Sequence, residues 1–423
     1  MNIETTDADC PPGLHRLVGA KSGLVSEVIY HLSERASPDV CQTTPSLCDL
    51  GYTFRTDRSV ELQITGKGTD FQRSLVSCLG EFAERYAMSW PDPESMRRAS
   101  HAALDASERV VDFDSLNPFR SLSDDGLTRE TELLWSAGTD LHTGETVHVP
   151  AELVWNDLRV MEDEPSRLFS TSNGLAAGPT LQAAVLWALY ELIERDGLMR
   201  TWWHHRTPQR VETAQIPALE ETLSRINPDT DLSIHLLDIR SRVDVPTYCG
   251  ALVSEREAYP KFLLAGSAHL DARAALREAA VEVCQGWSYA HSLALDTDPD
   301  SLEHGDTGFA FGENVCYYGS PSNFDEVSFL FGGGTVRPDP ESGPPVDEWS
   351  VEKRLQQTLA LLDEADCTPI AVDVTSDDIR RGGIDVARVV VPELVGLTPP
   401  SHPPTEHPDL SAADLVEKPH PFP

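Results

Sequence analysis

Two stretches of this sequence share an acidic signature. SCLGEFAERY at residues 77–86 and ELIERD at residues 191–196 both contain Glu-x-x-Glu-Arg. On a helix, Ser77, Glu81, Glu84 and Arg85 fall at i, i+4, i+7 and i+8, a single stripe. In the second copy Glu191 and Glu194 share a face and Arg195 sits one turn after Glu191, while Trp187 stands in the serine's place. Four carboxylates from two facing helices make an oxygen-rich site of the kind a hard cation such as Mg2+ takes. The adjacent arginines could neutralise phosphate oxygens. A third stretch adds Glu282 and Gln285 on one face, with Arg277 and Glu278 a turn earlier. Any one of these patterns alone would read as a solvated helix face with an i,i+4 ion pair. Their repetition on apolar helices argues for a site.

The elements that must carry these residues are legible from periodicity. Thr69–Met88 reads as an amphipathic helix capped by Asp70 or Thr69, after a strand around Val60–Ile64 and the loop Gly66-Lys67-Gly68. The loop SNGLAAG ends at Gly178-Pro179, and a helix over Thr180–Trp203 follows. Its first half, Leu181–Tyr190, is apolar nearly all round, the pattern of a buried helix. Carboxylates on such a helix are costly unless paired or bound to cations. Asp271 caps a third helix, Ala272–Ala290. Leu133–Pro150 reads as a hairpin, Pro246–Ser254 with Lys261–Ser267 as another, and Leu232–Ile239, Pro369–Val374 and Ala387–Val391 as strands. A short helix is expected around Leu24–Glu34, helix plus loop over 91–127, loops over 293–347, and a helix at Val351–Ala365. Helices and antiparallel strand pairs alternate without a βαβ rhythm, so the fold class is α+β.

Composition narrows the class. The 423 residues carry a formal charge of −36 with acids spread along the chain, which fits work in a high-salt cytoplasm and disfavours nucleic acid or an anionic membrane as partner. There is no signal-like N-terminus and no apolar run of transmembrane length, so a cytoplasmic protein is expected. The eight cysteines form no CxxC pair, which argues against zinc or a disulfide framework. Cys78 and Cys284 sit beside acidic residues that would raise a thiol pKa, so neither is a nucleophile. His204 and His205 are adjacent on a helix and point apart, which argues against metal. No Walker loop, GxGxxG or HExxH occurs.

Taken in order, SCLGEFAERY after Gly66-Lys67-Gly68, SNGLAAG before ELIERD, REAAVEVCQ, VDVTSDDI, ARVVVPEL and the proline-rich end resemble the YcaO-domain family of ATP-dependent peptide-backbone-modifying enzymes. The resemblance covers residues 60–423 as one YcaO domain, with 1–59 as an N-terminal segment. It implies a YcaO-type α+β fold, with mixed or antiparallel sheets and helices around a non-Walker ATP site. It places Lys67, Ser77, Glu81, Glu84, Asn173, Glu191, Glu194, Arg195, Glu282 and Gln285 at ATP, and Glu81, Glu84, Glu191, Glu194 and Glu282 at Mg2+.

In the azoline-forming branch of this family, a Cys, Ser or Thr side chain of a substrate peptide attacks the preceding carbonyl, the oxygen is phosphorylated by ATP, and loss of phosphate leaves a thiazoline or oxazoline. Arg195 and Arg85 would then stabilise the transferring phosphoryl group. The terminal Pro-x-Pro-x-Pro of residues 419–423 resembles the mark of that branch and would bring the Pro423 carboxylate towards the substrate. The alternatives are backbone thioamidation and a non-catalytic nucleotide-binding subunit. The expected partners are a ribosomally made peptide with a leader, of the bacteriocin type, and a leader-binding or activating protein in trans, since the first 59 residues are too short to hold one. A dehydrogenase is a candidate further partner, and a homodimer is expected.

Overall fold

The backbone follows the ladders and periodicities above with a few informative departures. The computed structural model describes residues 13–33, 37–54, 62–89, 91, 93–120, 126–156, 167–169, 171–227, 231–302, 312–337, 346–400, 404, 406–410, 415–416 and 418–422. In chain order the first elements are β1 (Val25–His31), β2 (Cys41–Leu47), α1 (Leu50–Phe54), β3 (Gly66–Gly68), α2 (Phe71–Met88), β4 (Met96–Ser100), α3 (His101–Asp105), β5 (Glu132–Asp140), β6 (Thr146–Pro150) and β7 (Leu175–Gly178). There follow α4 (Leu181–Trp203), β8 (Gln209–Val211), α5 (Pro217–Ile226), β9 (Leu232–Asp238), β10 (Thr247–Ser254), β11 (Phe262–Ala268), α6 (Ala272–Leu293) and α7 (Glu313–Gly319). The last are β12 (Thr335–Val336), α8 (Val351–Glu364), β13 (Ile370–Asp373), α9 (Asp377–Arg381) and β14 (Asp385–Val390).

Among the described residues these strands make three sheets, β1-β2-β3, β11-β10-β9-β8-β12, and β4-β5-β13-β14-β7 with β6 also paired to β5. Every pairing is antiparallel except β12 with β8. The α+β reading is correct. No helix among the described residues is long and apolar enough to cross a membrane.

Three capped helices carry the acidic residues, two of them with the caps expected from sequence and the third capped by Thr180, which the sequence pattern counts as helical. Asp70 accepts from Arg73 N at the start of α2, Thr180 from Ala183 N at α4, and Asp271 from Arg273 N at α6. The third sheet separates the first two. Val386 and Val390 of β14 join the core beneath α2, whereas Ala387 and Val389 join the core around α4. The other side of α4 packs on β10 and β11 through Leu198 and Met199 against Cys249 and Leu264, and α6 covers the opposite face of those strands through Ala279 and Val283. Helix α4 is therefore buried on nearly all sides, as its apolar sequence requires, and each Leu or Ile withdrawn from water contributes roughly 1.5–3 kcal/mol.

Four local expectations are corrected by the structure. The helix expected at Leu24–Glu34 is strand β1, because Val25, Val28, Ile29 and Tyr30 suit a pleated strand and Cys41–Leu47 supplies the ladder. The strand expected at Val60–Ile64 is absent among its described residues 62–64; the pairing segment is Gly66–Gly68, held in register by Cys41–Thr43. The 91–127 stretch has its expected helix as α3 but also contains β4, paired along β5. The 293–347 stretch contains α7, whose residues Asn314–Gly319 are buried.

Candidate active site

The two Glu-x-x-Glu-Arg motifs fold alike. In α2, Glu81 Oε2 accepts from Thr65 N at 3.1 Å and its other oxygen lies 3.6 Å from Arg85 Nη2. In α4, Glu191 Oε2 accepts from Gly174 N at 2.8 Å and its other oxygen lies 3.4 Å from Arg195 Nη2. The first glutamate of each motif thus ties its helix to the loop ahead of it. Gly174 adopts a positive φ of 73°, which presents its N–H to Glu191 at no steric cost. The second glutamate of each motif is more deeply placed. Glu84 Oε1 accepts from Ala177 N on β7 at 2.9 Å, and Glu194 Oε1 lies 2.5 Å from Arg195 Nη1.

The clusters meet. Burial, reinforced by Glu81 and Glu191, pushes the Glu84 carboxyl up to about 7. Burial pushes Glu194 to about 7 as well, with Arg195 opposing and Glu282 and Glu191 adding to the rise. Burial works against the Lys67 ammonium, yet Glu282, 2.5 Å away, together with Glu278 and Glu194, holds it above its ordinary value. Glu282 is correspondingly held low by Lys67 and Arg195 in spite of burial. Two poles result. Lys67, Glu282, Glu194 and Arg195 gather where β3, α6 and α4 approach, and Glu81, Arg85, Glu84 and Glu191 gather between α2, β7 and α4.

The remaining expected residues are less tightly tied. Gln285 Nε2 donates to Thr65 O at 3.4 Å, next to the N–H that holds Glu81. Asn173 Nδ2 donates to Leu397 O at 2.9 Å, which joins the 171–174 loop to the C-terminal segment. Ser77 is buried on the α2 stripe, and its hydroxyl makes no hydrogen bond among the described residues. Pro423 lies outside the described residues. Cys78 is pushed up to about 11 and Cys284 to about 12, both chiefly by burial, which agrees with their rejection as nucleophiles. His205 is exposed and stacks on Phe329, 3.9 Å between centroids, rather than joining a cluster.

The tail closes the site from the other end of α4. Val416 N donates to Trp203 O, and the carbonyls of Lys418 and Pro419 accept from Trp202 Nε1 and Tyr318 Oη. Asn314 Nδ2, on α7, donates to both His420 O and Phe422 O. The Phe422 ring then lies under the Arg195 guanidinium, 4.2 Å from its centroid. Asp196, next in the motif, serves structure: its Oδ1 accepts from Arg200 Nε at 2.7 Å and Val395 N at 2.9 Å, and Arg200 reaches on to Asp409. Sequence reasoning missed Asn314, because α7 was read as loop, and Arg388, buried on β14 beside Thr171.

Among the described residues no three His, Cys, Asp or Glu side chains stand together as a ready-made cation cage. Each carboxylate is engaged by a guanidinium, an ammonium or a backbone N–H instead. The donor set nonetheless fits a polyphosphate with divalent cations. It holds five glutamates with two carboxyls driven towards neutrality, and buried Arg85 Nε and Arg195 Nε atoms without a hydrogen-bond partner among the described residues. Such a donor set, on helices and without a phosphate-binding loop, defines a class of enzyme that handles nucleotides outside the usual folds.

Within that class, residues 65–395 match the family model described as YcaO cyclodehydratase, ATP- and Mg2+-binding, and the chain belongs to the YcaO family. ATP and Mg2+ are its cofactors. The fold is shared with a heterocyclase solved in complex with substrate and cofactor, at a TM-score of 0.72 and 19% identity, over 98% of this chain and 58% of that one. It is shared with YcaO from Methanopyrus kandleri bound with AMPPCP and Mg2+, at 0.64 and 24%, over 92% of both chains. A third neighbour is the E. coli microcin synthetase McbBCD complex with pro-MccB17 bound, at 0.63 and 15%, over 96% of this chain and 98% of that one. An uncharacterized protein in the tfuA 3' region of Rhizobium leguminosarum bv. trifolii is 28% identical over 194 residues, 44% of each chain. The chain spans about half the length of the curated relatives it matches.

Proposed function

We propose that this protein is an ATP- and Mg2+-dependent cyclodehydratase that forms thiazoline or oxazoline rings from Cys, Ser or Thr residues of a ribosomally made peptide. The observation that carries this reading is the docked tail: Phe422, inside the terminal Pro-x-Pro-x-Pro, packs on Arg195 at the cluster expected to hold the nucleotide. Bound ATP supplies a phosphoryl group to the peptide oxygen, so that the ring closes with release of ADP and phosphate and net loss of water from the peptide.

The chain's own residues do the rest. Glu81, Glu84, Glu191, Glu194 and Glu282 are the cation-holding set, with Lys67, Ser77, Asn173 and Gln285 along the nucleotide. Arg195 and Arg85 neutralise charge on the transferring group. Arg195 links the two tasks, since it is paired to Glu191 and Glu194 on one side and covered by Phe422 on the other. The carboxylate of Pro423, one residue on, is the proposed anion facing the peptide. The family resemblance supports a leader-binding protein as partner, and residues 60–423 as one functional domain.

The test mixes the protein with ATP, Mg2+, a candidate partner and precursor peptides. A peptide that loses one water mass per ring while phosphate appears supports the proposal, and a peptide that exchanges oxygen for sulfur only when sulfide is added replaces it with thioamidation. Glu81→Ala and Glu191→Ala should abolish both phosphate release and ring formation. Unchanged activity in both variants would refute the metal assignment.

A further inference from the structure

Arg388 is an oddity on a buried strand. Its neighbours on the same face of β14, Val386 and Val390, are ordinary core residues beneath α2. Arg388 itself is 4% exposed. Its Nη1 donates to Thr171 O at 2.8 Å, its Nε has no hydrogen-bond partner, and no carboxylate lies within ion-pair distance among the described residues. The charged groups that act on it are Glu191, which favours its charge, and Arg85, which opposes it. Burial dominates both and pushes the guanidinium down to about 10.

A buried cation without a counter-charge in contact is destabilising, and two like charges near each other add to the strain. Among the described residues the Arg85 Nε is buried without a hydrogen-bond partner, and its guanidinium has the 3.6 Å pair to Glu81. Two guanidinium forks with spare donors suit an anion that offers several oxygens at once, and a tetrahedral phosphate does so where a single carboxylate does not. We propose that Arg388, with Arg85, forms a subsite for the phosphoryl group, at the α2–β14 side of the site and apart from the Lys67–Glu282 pole. The proposal deepens the ATP-dependent reading above and rests on it.

The test compares the wild-type chain with Arg388→Met by thermal unfolding without ligand and by calorimetric titration with inorganic phosphate, Mg2+ with a non-hydrolysable triphosphate, and adenosine. Methionine fills similar volume without charge, so the ligand-free variant should unfold at the same or a higher temperature. Its affinities for phosphate and triphosphate should fall at least about tenfold with adenosine binding unchanged. A variant that is less stable without ligand yet binds phosphate as wild type would show that the guanidinium is structural and overturn the proposal. Arg388→Lys should restore part of the phosphate affinity; a lysine variant that binds adenosine normally but restores none also overturns it. If the wild type binds Mg2+ and triphosphate and the methionine variant binds them equally, only the subsite fails. If the wild type binds neither phosphate nor triphosphate, the ATP-dependent reading fails with it.

Discussion

Acid should loosen the C-terminal tail, and His420 is where it acts. The imidazole has no exposed surface; its ring meets Trp203 edge-on, 6.1 Å between centroids, and its Nε2 lies 2.8 Å from Thr398 O. A carbonyl only accepts, so Nε2 carries the proton of the neutral ring. Burial holds the imidazole down at about 4, with the Arg195 charge acting in the same sense against the hydrogen bonds to Thr398 and Phe422. In the unfolded chain the same group titrates near 6.5, so as pH falls the unfolded state takes the proton first.

The stability contributed by neutral His420 is therefore complete above roughly pH 6.5 and lost progressively as pH falls towards about 4. A gap of about 2.5 units at about 1.4 kcal/mol each gives about 3.5 kcal/mol. Urea unfolding from about pH 8 to about pH 4.5 in the wild type and in His420→Gln measures it. The glutamine amide can still donate to Thr398 O and does not titrate. Other acid-sensitive groups, such as His407, which burial also holds low, are common to both chains and cancel in the difference. The wild type should lose about 2.5 kcal/mol more than the variant over this range, which stops short of the folded pKa of about 4. Parallel pH curves for the two chains would refute the argument, and limited proteolysis of the tail should show the same divergence.

Three further outcomes follow from the geometry. Asp196→Asn breaks a buried pair and leaves Arg200 leaning on Asp409 alone, which should cost about 3 kcal/mol in urea unfolding; a loss under about 1 kcal/mol would show that the pair is not structural. Gly66→Ala would place a Cβ 2.1 Å from Ser74 O and 2.4 Å from Cys78 Cβ, forcing β3 off α2. At least about 2 kcal/mol should be lost, whereas Gly334→Ala, with nothing within 4 Å, should be neutral. Phe422→Ala removes the ring under Arg195, an interaction of roughly 0.5–2 kcal/mol, and should reduce ring formation on a peptide more than affinity for a triphosphate analogue. Equal loss of both would contradict the assigned role of the tail.

What was legible in the sequence is what a short window of chain encodes. The three acidic helices, the caps at Asp70 and Asp271, and the β5–β6 and β10–β11 hairpins follow from local period and turn chemistry. So does the i,i+4 pairing inside each Glu-x-x-Glu-Arg motif, since helical spacing alone places those side chains together. Where a short segment took its conformation from a distant partner, as β1 and Gly66–Gly68 did from β2, local preference misled.

Only the tertiary structure decided how the motifs combine. Lys67 pairs with Glu282, Arg388 reaches a carbonyl 217 residues away at Thr171, and Asn314 clasps a tail more than a hundred residues downstream. These meetings depend on sheet order and on which face of β14 looks towards which helix, and no periodicity within the chain specifies either. The sequence by itself determined that carboxylates and arginines would be presented on buried helices. Burial and sheet order decided which charges meet, which are pushed towards neutrality, and which, like Arg388, are buried with no carboxylate in ion-pair reach among the described residues.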